Sequence, residues 1–430
     1  MYRTHTVGVV VPAYNEAGFV GDTIASVPEF VDRVYVVEDG STDGTWREIR
    51  AAARAENNHH RGGAFPERVV PIRHDENRGV GGAIKTGYLR ARDEDVDLVA
   101  VMGADGQMEP DALADLLDPI VDDRADYVKA NRFLGRTSRG DMPKLRFVGN
   151  AMLGALTKVA SGYWETGDPQ SGYTVISGDA LDAVPVEDMY EFYGYCNDLL
   201  VKLNVAGMRV LDVPHPPVYG DEESHITYRT YVPKVSGMLA RNFLWRLKTK
   251  YLVFDFHPLV GAYAAGATAS AVGLAGLAWA LPGVGTVASP LARFGAALTF
   301  LLVGALAFVA AMWMDMLAND HLGGTVMPND PEPVASKPDY GEPSTDGARA
   351  AGAAGVDLGE AAGAQVPDED GGAVSANGDG TVAVELAPGE WSSLLDAAVT
   401  DGGDADEAAA ARRVRERVRE RLRDEKRAAD

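Results

Sequence analysis

The first 235 residues alternate short apolar runs with longer amphipathic stretches, and this order constrains the fold more than any other feature. Five of the runs are apolar and rich in β-branched residues, as buried strands are. They cover residues 7–11, 34–37, 69–72, 98–102 and 127–130, and the helical stretches cover 17–27, 45–55, 80–92 and 110–122. Strands that alternate with helices predict a parallel α/β sheet, whose ligands bind beyond the carboxyl ends of the strands.

The charge balance excludes one class of partner. The 430 residues include 40 basic and 63 acidic side chains, a formal net charge of −23. Such a chain repels phosphates, so no nucleic-acid partner is expected. Strong acidity also suits solubility in concentrated salt and favours a halophilic source. The single cysteine, Cys196, allows no internal disulfide, and the N-terminal apolar run is too short for a signal peptide.

Two long apolar runs follow the α/β region. Residues 258–281 and 294–314 carry no charged side chain. Each can cross a hydrocarbon core of ~30 Å as a helix, so residues 258–318 are predicted to form two transmembrane helices in a hairpin. The alternative is two buried helices of a soluble core, where uncharged runs of this length are rare. The hairpin also offers a surface for self-association.

The segment before the first apolar run, residues 236–257, predicts an amphipathic helix on the membrane surface. Arg241, Arg246, Lys248 and Lys250 alternate there with aromatic and aliphatic residues. This mixture is typical of helices that lie on anionic membrane lipids. By the positive-inside rule, the segment and the large domain before it lie in the cytoplasm, which predicts a multi-pass protein of the cell membrane.

The composition changes again near residue 328, where Ala, Gly, Asp, Glu and Pro begin to dominate. Such a segment buries too little apolar surface to order itself, so residues 328–403 are predicted to be a disordered acidic tail. Residues 404–430 have helix formers with Val and Leu at near-heptad spacing, which predicts a charged C-terminal helix. That helix either meets a partner or the membrane, or is simply solvated.

Polar turns stand next to four of the predicted elements: PAYNE after the first strand, EDGSTDGT after the second, NRGVGGAIK at the third helix, and GADGQ after the fourth strand. The second turn has more carboxylates and hydroxyls than an ordinary turn has. The alternative is a capped helix N-terminus, with Thr42 or Asp43 as the cap. The glycines and Lys85 of the third favour a diphosphate site, although the spacing is neither a P-loop nor GxGxxG.

These four turns, in this order, resemble those of the inverting family-2 glycosyltransferases over residues 5 to about 220. The resemblance implies the GT-A fold, a Rossmann-like nucleotide-sugar-binding catalytic domain, for residues 1–235. It also implies that residues of the first two turns hold the nucleoside. By position these residues are Pro12, Tyr14, Glu16, Asp39 and Ser41.

In this family the fourth turn is an Asp-x-Asp site for Mg²⁺ or Mn²⁺, which neutralises charge on the departing diphosphate. The polyprenyl-phosphate mannosyl- and glucosyltransferases commonly have Asp-Ala-Asp-x-Gln, and Gly103 replaces the first acid here. The resemblance implies Asp105 and Gln107 as metal ligands, because Mg²⁺ needs only one or two carboxylates beside phosphate oxygens. The alternative is a plain turn before a helix.

The acceptor decides which further residues are needed. A hydroxyl acceptor requires a base, whereas a lipid phosphate is already largely deprotonated and requires cations to position it. Arg132 and Arg146 match arginines that hold the acceptor phosphate in polyprenyl-phosphate transferases; the alternative for each is a solvated surface position. Residues 168–177 are similar to the family's Gln-Ser-Gly segment beside the active site, which implies Asp168, Gln170 and Ser171.

Asp198 stands near the position of the catalytic carboxylate in base-using relatives. It acts as a base, orients the sugar or caps a helix, and the sequence leaves these roles open. The chain lacks the Gln-x-x-Arg-Trp motif of processive polysaccharide synthases.

The whole layout resembles archaeal dolichyl-phosphate sugar transferases of protein N-glycosylation. This implies inverting, metal-dependent transfer of a hexose from a nucleotide sugar, UDP-glucose in preference to GDP-mannose, to dolichyl phosphate on the cytoplasmic membrane face. Two alternatives remain. One is transfer to a hydroxyl of a lipid-linked oligosaccharide, with Asp198 as the base. The other is a non-catalytic membrane adaptor whose acidic tail recruits partners.

Overall fold

The computed structural model describes residues 1–60, 63–106, 108–134, 144–215, 228–254, 256–280 and 289–326, together with two short strands at 373–376 and 382–385. Within 144–151 and 228–230, at residue 290 and in the two short strands it describes the backbone alone. The chain divides into two compact units, Met1–Tyr340 and Gly341–Asp430. The predicted C-terminal helix over 404–430 lies outside the described residues.

The first unit is an α/β domain followed by long helices. Its strands are β1 (Val7–Ala13), β2 (Arg33–Glu38), β3 (Val69–Arg73), β4 (Leu98–Val101), β5 (Tyr127–Asn131), β6 (Thr174–Ser177), β7 (Val210–Pro214) and β8 (Gly323–Thr325). Its helices are α1 (Val20–Ser26), α2 (Thr45–His59), α3 (Val80–Asp93), α4 (Leu113–Val121), α5 (Lys144–Ser161), α6 (Gly178–Ala183), α7 (Tyr195–Val205), α8 (Tyr228–Lys248), α9 (Leu259–Trp279) and α10 (Pro290–Asn319).

The eight strands form one mixed sheet in the order β3-β2-β1-β4-β6-β5-β7-β8. Every pairing is parallel except those of β6, which runs antiparallel to β4 and β5. The carboxyl ends of the parallel strands therefore lie at one edge of the sheet, and β6 starts at the same edge. We call this edge of the sheet the site edge, because open α/β sheets bind ligands there.

The five predicted strands and four predicted helices are confirmed, with small shifts at their ends. The first helix starts at Val20 rather than at residue 17, because the chain turns through Asn15 and Gly18, which have φ angles of 57° and 96°. The fourth helix is preceded by a short 3₁₀ turn at Pro110–Ala112. The strands β6, β7 and β8 were not predicted, and the antiparallel direction of β6 makes the sheet mixed rather than parallel as predicted.

Apolar side chains fill both faces of the sheet, as its near-continuous apolar strands require. One cluster includes Val9, Val36 and Leu116, and the other includes Val10, Ile84 and Leu199. Each such side chain stabilises the fold by ~1.5–3 kcal/mol relative to an exposed one. Since the helices cover both faces, the polar chemistry is confined to the strand ends.

The helices α9 and α10 pack against each other as a hairpin. By length and composition, both are suited to crossing a membrane. Large apolar side chains on them are exposed, including Leu302, Leu306 and Trp313. Where the two helices touch, a Cβ on Gly273 would lie 2.7 Å from the Leu301 side chain. Small residues at such contacts are typical of helices that associate in lipid.

The predicted interfacial helix over 236–257 requires a correction. The structure continues α8 to Lys248 and follows it with a π-helical turn at Thr249–Phe254. Arg241 and Lys248 are exposed as predicted, but Arg246 is fully buried. Lys250 donates hydrogen bonds to two asparagines of the protein. These two cations therefore face the protein interior rather than lipid, because the helical period turns them inward.

The second unit contains an antiparallel pair of strands, β9 (Ala373–Ala376) and β10 (Val382–Glu385). They lie within the tail that the sequence predicts to be disordered. The structure differs from that prediction at these residues, where valines alternate with small or polar residues on both sides of an Asn-Gly-Asp-Gly stretch. Such a pattern favours a hairpin.

Candidate active site

Hydrogen bonds join the turn after β1 to the turn after β2. The backbone N–H of Asn15 donates to Ser41 Oγ at 3.0 Å, and that of Glu16 donates to Thr45 Oγ1 at 2.8 Å. In the other direction, Thr42 N–H donates to Asn15 Oδ1 at 3.0 Å. The left-handed backbone of Asn15 turns its side chain toward the second loop. The two turns thus form one connected floor at the site edge.

The structure brings most of the predicted nucleoside-binding residues together on this floor. Tyr14 is 46% exposed, so its ring is open to a flat ligand. Pro12 lies at the end of β1 and pairs in register with Val37 of β2. Glu16 is partly buried, and Ser41 Oγ accepts the Asn15 hydrogen bond. An exposed ring beside polar loop atoms is suited to stacking a nucleobase.

Asp39, a predicted nucleoside contact, lies in the turn that follows β2. It is almost completely buried, and both of its carboxylate oxygens have partners. His74 Nδ1 and the N–H of Arg78 lie 2.7 and 2.9 Å from Oδ1, and the N–H of Gly79 lies 2.8 Å from Oδ2. The carboxylate therefore anchors the loop that leads into α3, and its contact with a nucleoside stays a prediction.

Lys85, the cation of the predicted diphosphate site, forms an ion pair with Glu191. Lys85 Nζ and Arg78 Nη2 each lie 2.8 Å from Glu191 Oε1. Hydrogen bonding from Lys85, followed by that from Arg78, lowers the pKa of the Glu191 carboxyl. The N–H of Gly82 at the start of α3 donates to the Glu191 carbonyl at 2.8 Å. The two cations thus have a carboxylate as partner, and the helix amide has the carbonyl of the same residue; the diphosphate site itself stays a prediction.

The turn after β4 presents one described carboxylate. A Cβ built on Gly103 would lie 3.0 Å from Asp105 Oδ1, so the Asp105 carboxylate lies over the glycine. Asp105 is partly buried, and Gln107 lies outside the described residues. Within the described part of the chain, no three metal-binding side chains cluster. A half-buried carboxylate fits a Mg²⁺ or Mn²⁺ ion that takes its remaining ligands from the substrate.

Two aromatic side chains form a wall beside this turn. Tyr173 donates from its hydroxyl to the Glu109 carbonyl at 3.0 Å. Its ring meets the His215 ring edge-on, with centroids 5.5 Å apart. Burial lowers the pKa of His215. Sequence reasoning missed His215, although the strand-like run followed by VPHPP was available as a signal.

The end of β5 carries a forked ion pair. Arg132 donates from Nε to Asp168 Oδ2 at 2.7 Å and from Nη2 to Asp168 Oδ1 at 2.9 Å. The Arg132 side chain is 41% exposed, whereas that of Asp168 is 2% exposed. Asp168 has a φ of 33°, an uncommon backbone conformation for a non-glycine residue. A bidentate pair of this kind fixes the plane of the guanidinium.

A buried network holds the Asp168 loop in place. Lys129 Nζ lies 2.9 Å from Asp212 Oδ1, and both side chains are almost completely buried. Lys129 also donates to the Asp168 carbonyl at 3.1 Å, and the N–H of Gly167 donates to Asp212 Oδ2 at 2.7 Å. Burial raises the pKa of Asp212, and the charge of Lys129 opposes that shift. The sequence predicted neither Lys129 nor Asp212.

The remaining predicted residues of this region have different outcomes. Ser171 is buried and donates from its N–H to the Asp168 carbonyl at 3.1 Å, and Gln170 beside it is partly buried. Both lie in the loop that leads into β6, at the site edge. Arg146 lies in the first turn of α5, and its side chain is outside the described part of the structure.

Asp198 is not placed as a catalytic base. It is 1% exposed. Its Oδ2 lies 2.7 Å from Lys202 Nζ and accepts the N–H of Tyr190 at 2.9 Å, and its Oδ1 accepts Asn242 Nδ2 at 2.6 Å. An acid in the first turn of α7 also suits the helix dipole. Of the roles predicted for Asp198, the structure favours the structural one.

The mixed sheet and its polar site edge define an α/β domain of the GT-A type. Residues 8–184 match the family described as Glycosyl transferase family 2. These residues form a domain of that family, and the chain is a glycosyltransferase.

Curated relatives carry related activities in their names. The UDP-N-acetylglucosamine–dolichyl-phosphate N-acetylglucosaminyltransferase of Methanococcus voltae is 29% identical over 214 residues, 49% of this chain and 85% of that one. The undecaprenyl-phosphate mannosyltransferase of Micrococcus luteus is 26% identical over 211 residues, 48% of this chain and 80% of that one.

A solved structure is also similar. It is glucosyl-3-phosphoglycerate synthase from Mycobacterium tuberculosis in complex with Mn²⁺, UDP-glucose and phosphoglyceric acid. Its sequence is 20% identical, and the alignment covers 56% of this chain and 80% of that chain with a TM-score of 0.38.

Proposed function

We propose that this chain transfers a hexose from a nucleotide sugar to dolichyl phosphate, with inversion and with the aid of a divalent cation, at the cytoplasmic face of the membrane. The observation that carries the proposal is the forked Arg132–Asp168 pair at the site edge. Asp168 fixes the guanidinium plane, and the exposed part of Arg132 faces a phosphate-sized ligand without losing that orientation.

The donor occupies the floor formed by the first two turns. The open ring of Tyr14 stacks the base, and the loop atoms around Ser41 contact the ribose. Asp39 supports this arrangement indirectly, by anchoring the loop that leads into α3. The names of the relatives include N-acetylglucosamine and mannose. The preference for UDP-glucose over GDP-mannose therefore stays a prediction from sequence resemblance.

A divalent ion would be held by Asp105, and Gln107 is its predicted second protein ligand. When bound, the ion neutralises charge on the departing diphosphate. Asp105 lies over Gly103 in a way that leaves little space for a second acid at that position. A single carboxylate with diphosphate oxygens is sufficient for Mg²⁺.

The state of Asp198 favours a phosphate acceptor over a hydroxyl acceptor. Its carboxylate is buried and paired with Lys202, so it is poorly suited to removing a proton from a substrate. A lipid phosphate has a second pKa near ~6 and needs no base at neutral pH. The acceptor is taken to be dolichyl phosphate because a relative with that acceptor in its name aligns over 85% of its own length.

The hairpin of α9 and α10 is proposed to anchor the enzyme in the membrane beside its lipid acceptor. Its exposed apolar side chains support this role. Exposed Arg241 and Lys248 on α8 favour the cytoplasmic face through the positive-inside rule. Self-association through the hairpin and a partner for the acidic tail remain predictions.

The decisive test is a radiolabel transfer assay on membranes that contain the protein. Dolichyl phosphate, Mg²⁺ and high salt are supplied with UDP-glucose, GDP-mannose or UDP-N-acetylglucosamine in turn. Label should enter an acid-labile lipid with one donor. The label should disappear with EDTA and in Asp105→Asn, but persist in Asp111→Asn, which removes an exposed acid a few residues away.

Two outcomes would contradict the proposal. Label that enters only a lipid-linked sugar would identify a hydroxyl acceptor. No label with any donor, while the protein is folded, would favour the non-catalytic adaptor.

A further inference from the structure

A buried ion pair connects α8 to the last turns of α10. Arg246 donates from Nη1 to Asp315 Oδ1 at 2.9 Å and from Nη2 to Asp315 Oδ2 at 2.8 Å. Both side chains are completely buried. The fork fixes the distance between the two helices as well as their rotation. The hairpin is thus tied to the helix that follows the catalytic domain.

The same guanidinium holds the end of α5. Arg246 donates from Nε to the Ala160 carbonyl at 2.9 Å and from Nη2 to the Val159 carbonyl at 3.1 Å. The last carbonyls of a helix lack partners within the helix, and a cation there also suits the helix dipole. Gly162 follows with a φ of 81°, and a Cβ on it would lie 2.5 Å from Arg246 Nη1. One side chain therefore joins three helices.

Neighbouring side chains extend this connection to α7. Asn319 Nδ2 donates to Tyr251 Oη at 2.6 Å and to Asp315 Oδ1 at 3.0 Å. Lys250 Nζ donates to Asn319 Oδ1 at 2.9 Å and to Asn204 Oδ1 at 3.1 Å. We call these side chains, with Arg246, the base network. It joins the hairpin to the ends of α5 and α7 through satisfied polar contacts.

Stability alone does not account for such a network. Apolar residues of equal volume often serve a fold as well as a buried ion pair does, or better. What apolar contacts lack is the directional fork that sets one orientation. The base network is therefore better explained by a need for fixed geometry between the catalytic domain and the hairpin.

The geometry that it fixes leads along α5 to Arg146, which the sequence predicts to hold the acceptor phosphate, and we call this end the acceptor end of the site. Arg146 lies in the first turn of α5, and the carbonyls that Arg246 holds lie in its last turn. At ~1.5 Å per residue, the two ends are about 20 Å apart along one helix. A displacement of the Arg246 end relative to the hairpin therefore moves the Arg146 end relative to the membrane.

We propose that Arg246 is a positioning residue, which holds α5 on the base of the hairpin so that the acceptor end of the site stays at a fixed height above the bilayer. The inference rests on the proposed function, because only an acceptor anchored in the bilayer is sensitive to that height. A short-chain isoprenyl phosphate dissolved in water reaches the site whatever the height.

The test compares these two acceptors in the full-length protein reconstituted in vesicles of anionic lipid. Arg246→Lys keeps the charge but cannot form the fork, and Gly162→Ala crowds the guanidinium without changing a charge. Arg241→Lys is the matched control, because it makes the same substitution at an exposed position of α8. Both test variants should raise the KM for dolichyl phosphate in the bilayer ~10-fold.

For the short-chain phosphate, kcat/KM should stay within ~2-fold of wild type, and Arg241→Lys should behave as wild type with both acceptors. Equal losses with the two acceptors would mean a merely structural role and overturn the proposal. An unchanged KM for the bilayer acceptor would also overturn it.

Hydrogen exchange gives a readout that does not depend on activity. The amides of Gly162 and Tyr163 follow the carbonyls that Arg246 holds, and they should exchange faster in Arg246→Lys than in Arg241→Lys. Equal rates would overturn the coupling. A wild type that labels neither acceptor contradicts the proposed function itself, whereas an active wild type with unaffected variants contradicts only the positioning role.

Discussion

Arg132 and Asp168 form a bidentate ion pair in which the acid is buried and the base is exposed. The same guanidinium–carboxylate fork occurs between Arg209 and Asp126, where the nitrogen–oxygen distances are 3.1 and 2.9 Å. Arg132 follows β5, whereas Arg209 and Asp126 precede β7 and β5 at the opposite edge of the sheet. A comparison of variants in the two pairs therefore distinguishes an effect on the site from an effect on the fold.

Asp168→Asn should weaken binding of the acceptor phosphate. The amide accepts from Arg132 through only one oxygen, so the guanidinium loses its fixed plane. We expect the KM for dolichyl phosphate to rise ~10-fold while the KM for the donor is unchanged, because one oriented charged contact contributes ~1.5–3 kcal/mol. Steady-state transfer kinetics measure both constants. Asp126→Asn should leave both unchanged, and equal effects of the two variants would contradict the assignment.

Asp212→Leu should destabilise the fold strongly. It leaves the charge of Lys129 buried without its partner carboxylate, which costs ~3–5 kcal/mol in comparable cases. The double variant Lys129→Met/Asp212→Leu removes both charges and should recover most of that loss. Thermal unfolding in detergent, with wild type and both variants at one salt concentration, measures the difference. A double variant no more stable than Asp212→Leu would show that the charge pair is not the cause.

Gly103→Ala should reduce transfer by displacing Asp105. The added Cβ would lie 3.0 Å from Asp105 Oδ1, so the carboxylate must shift. We expect a loss of activity of ~10-fold or more, partly restored by a higher Mg²⁺ or Mn²⁺ concentration, because a small misplacement of a reacting group has effects of this size. Gly237→Ala is the control, since a Cβ there meets open space. Unchanged metal dependence in Gly103→Ala would contradict the metal role of Asp105.

Local sequence pattern was sufficient for five of the eight strands of the sheet and for most of its site edge. Buried parallel strands are continuous apolar runs, so their positions and the turns that follow them are visible in the sequence. The floor around Tyr14 and Ser41, the Asp105 turn and Arg132 all lie directly after such runs. These residues lie at one edge of the sheet because the strands before them run parallel.

Pairings between distant residues could not be predicted in this way. Glu191 meets Lys85 across 106 positions of the chain, and no local pattern marks it as the partner. Arg246 lies in a basic and aromatic helix, a pattern that is the same whether the arginine faces lipid or Asp315. The two readings differ only in tertiary packing, which also decided that Asp198 is paired with Lys202.

The base network should give the protein a specific pH dependence through Lys250. Burial lowers the pKa of Lys250 to about 8, and the nearby charge of Arg246 adds to the shift. In the unfolded chain a lysine has a pKa near ~10.4. Below pH ~8 Lys250 is protonated in both states, and the folded state bears the full penalty of the buried charge. Between pH ~8 and ~10.4 only the unfolded state keeps the proton. The stability contributed by Lys250 therefore rises with pH across this range.

The measurement is the thermal unfolding of wild type, Lys250→Met and Lys248→Met in detergent from pH 7 to 10. The difference in unfolding temperature between wild type and Lys250→Met, whatever its value at pH 7, should change in favour of wild type as the pH rises above ~8. The difference between wild type and Lys248→Met should stay constant across this range, because Lys248 is exposed. A constant difference for Lys250→Met as well would show that Lys250 keeps the pKa of a solvated lysine and does not belong to a buried network.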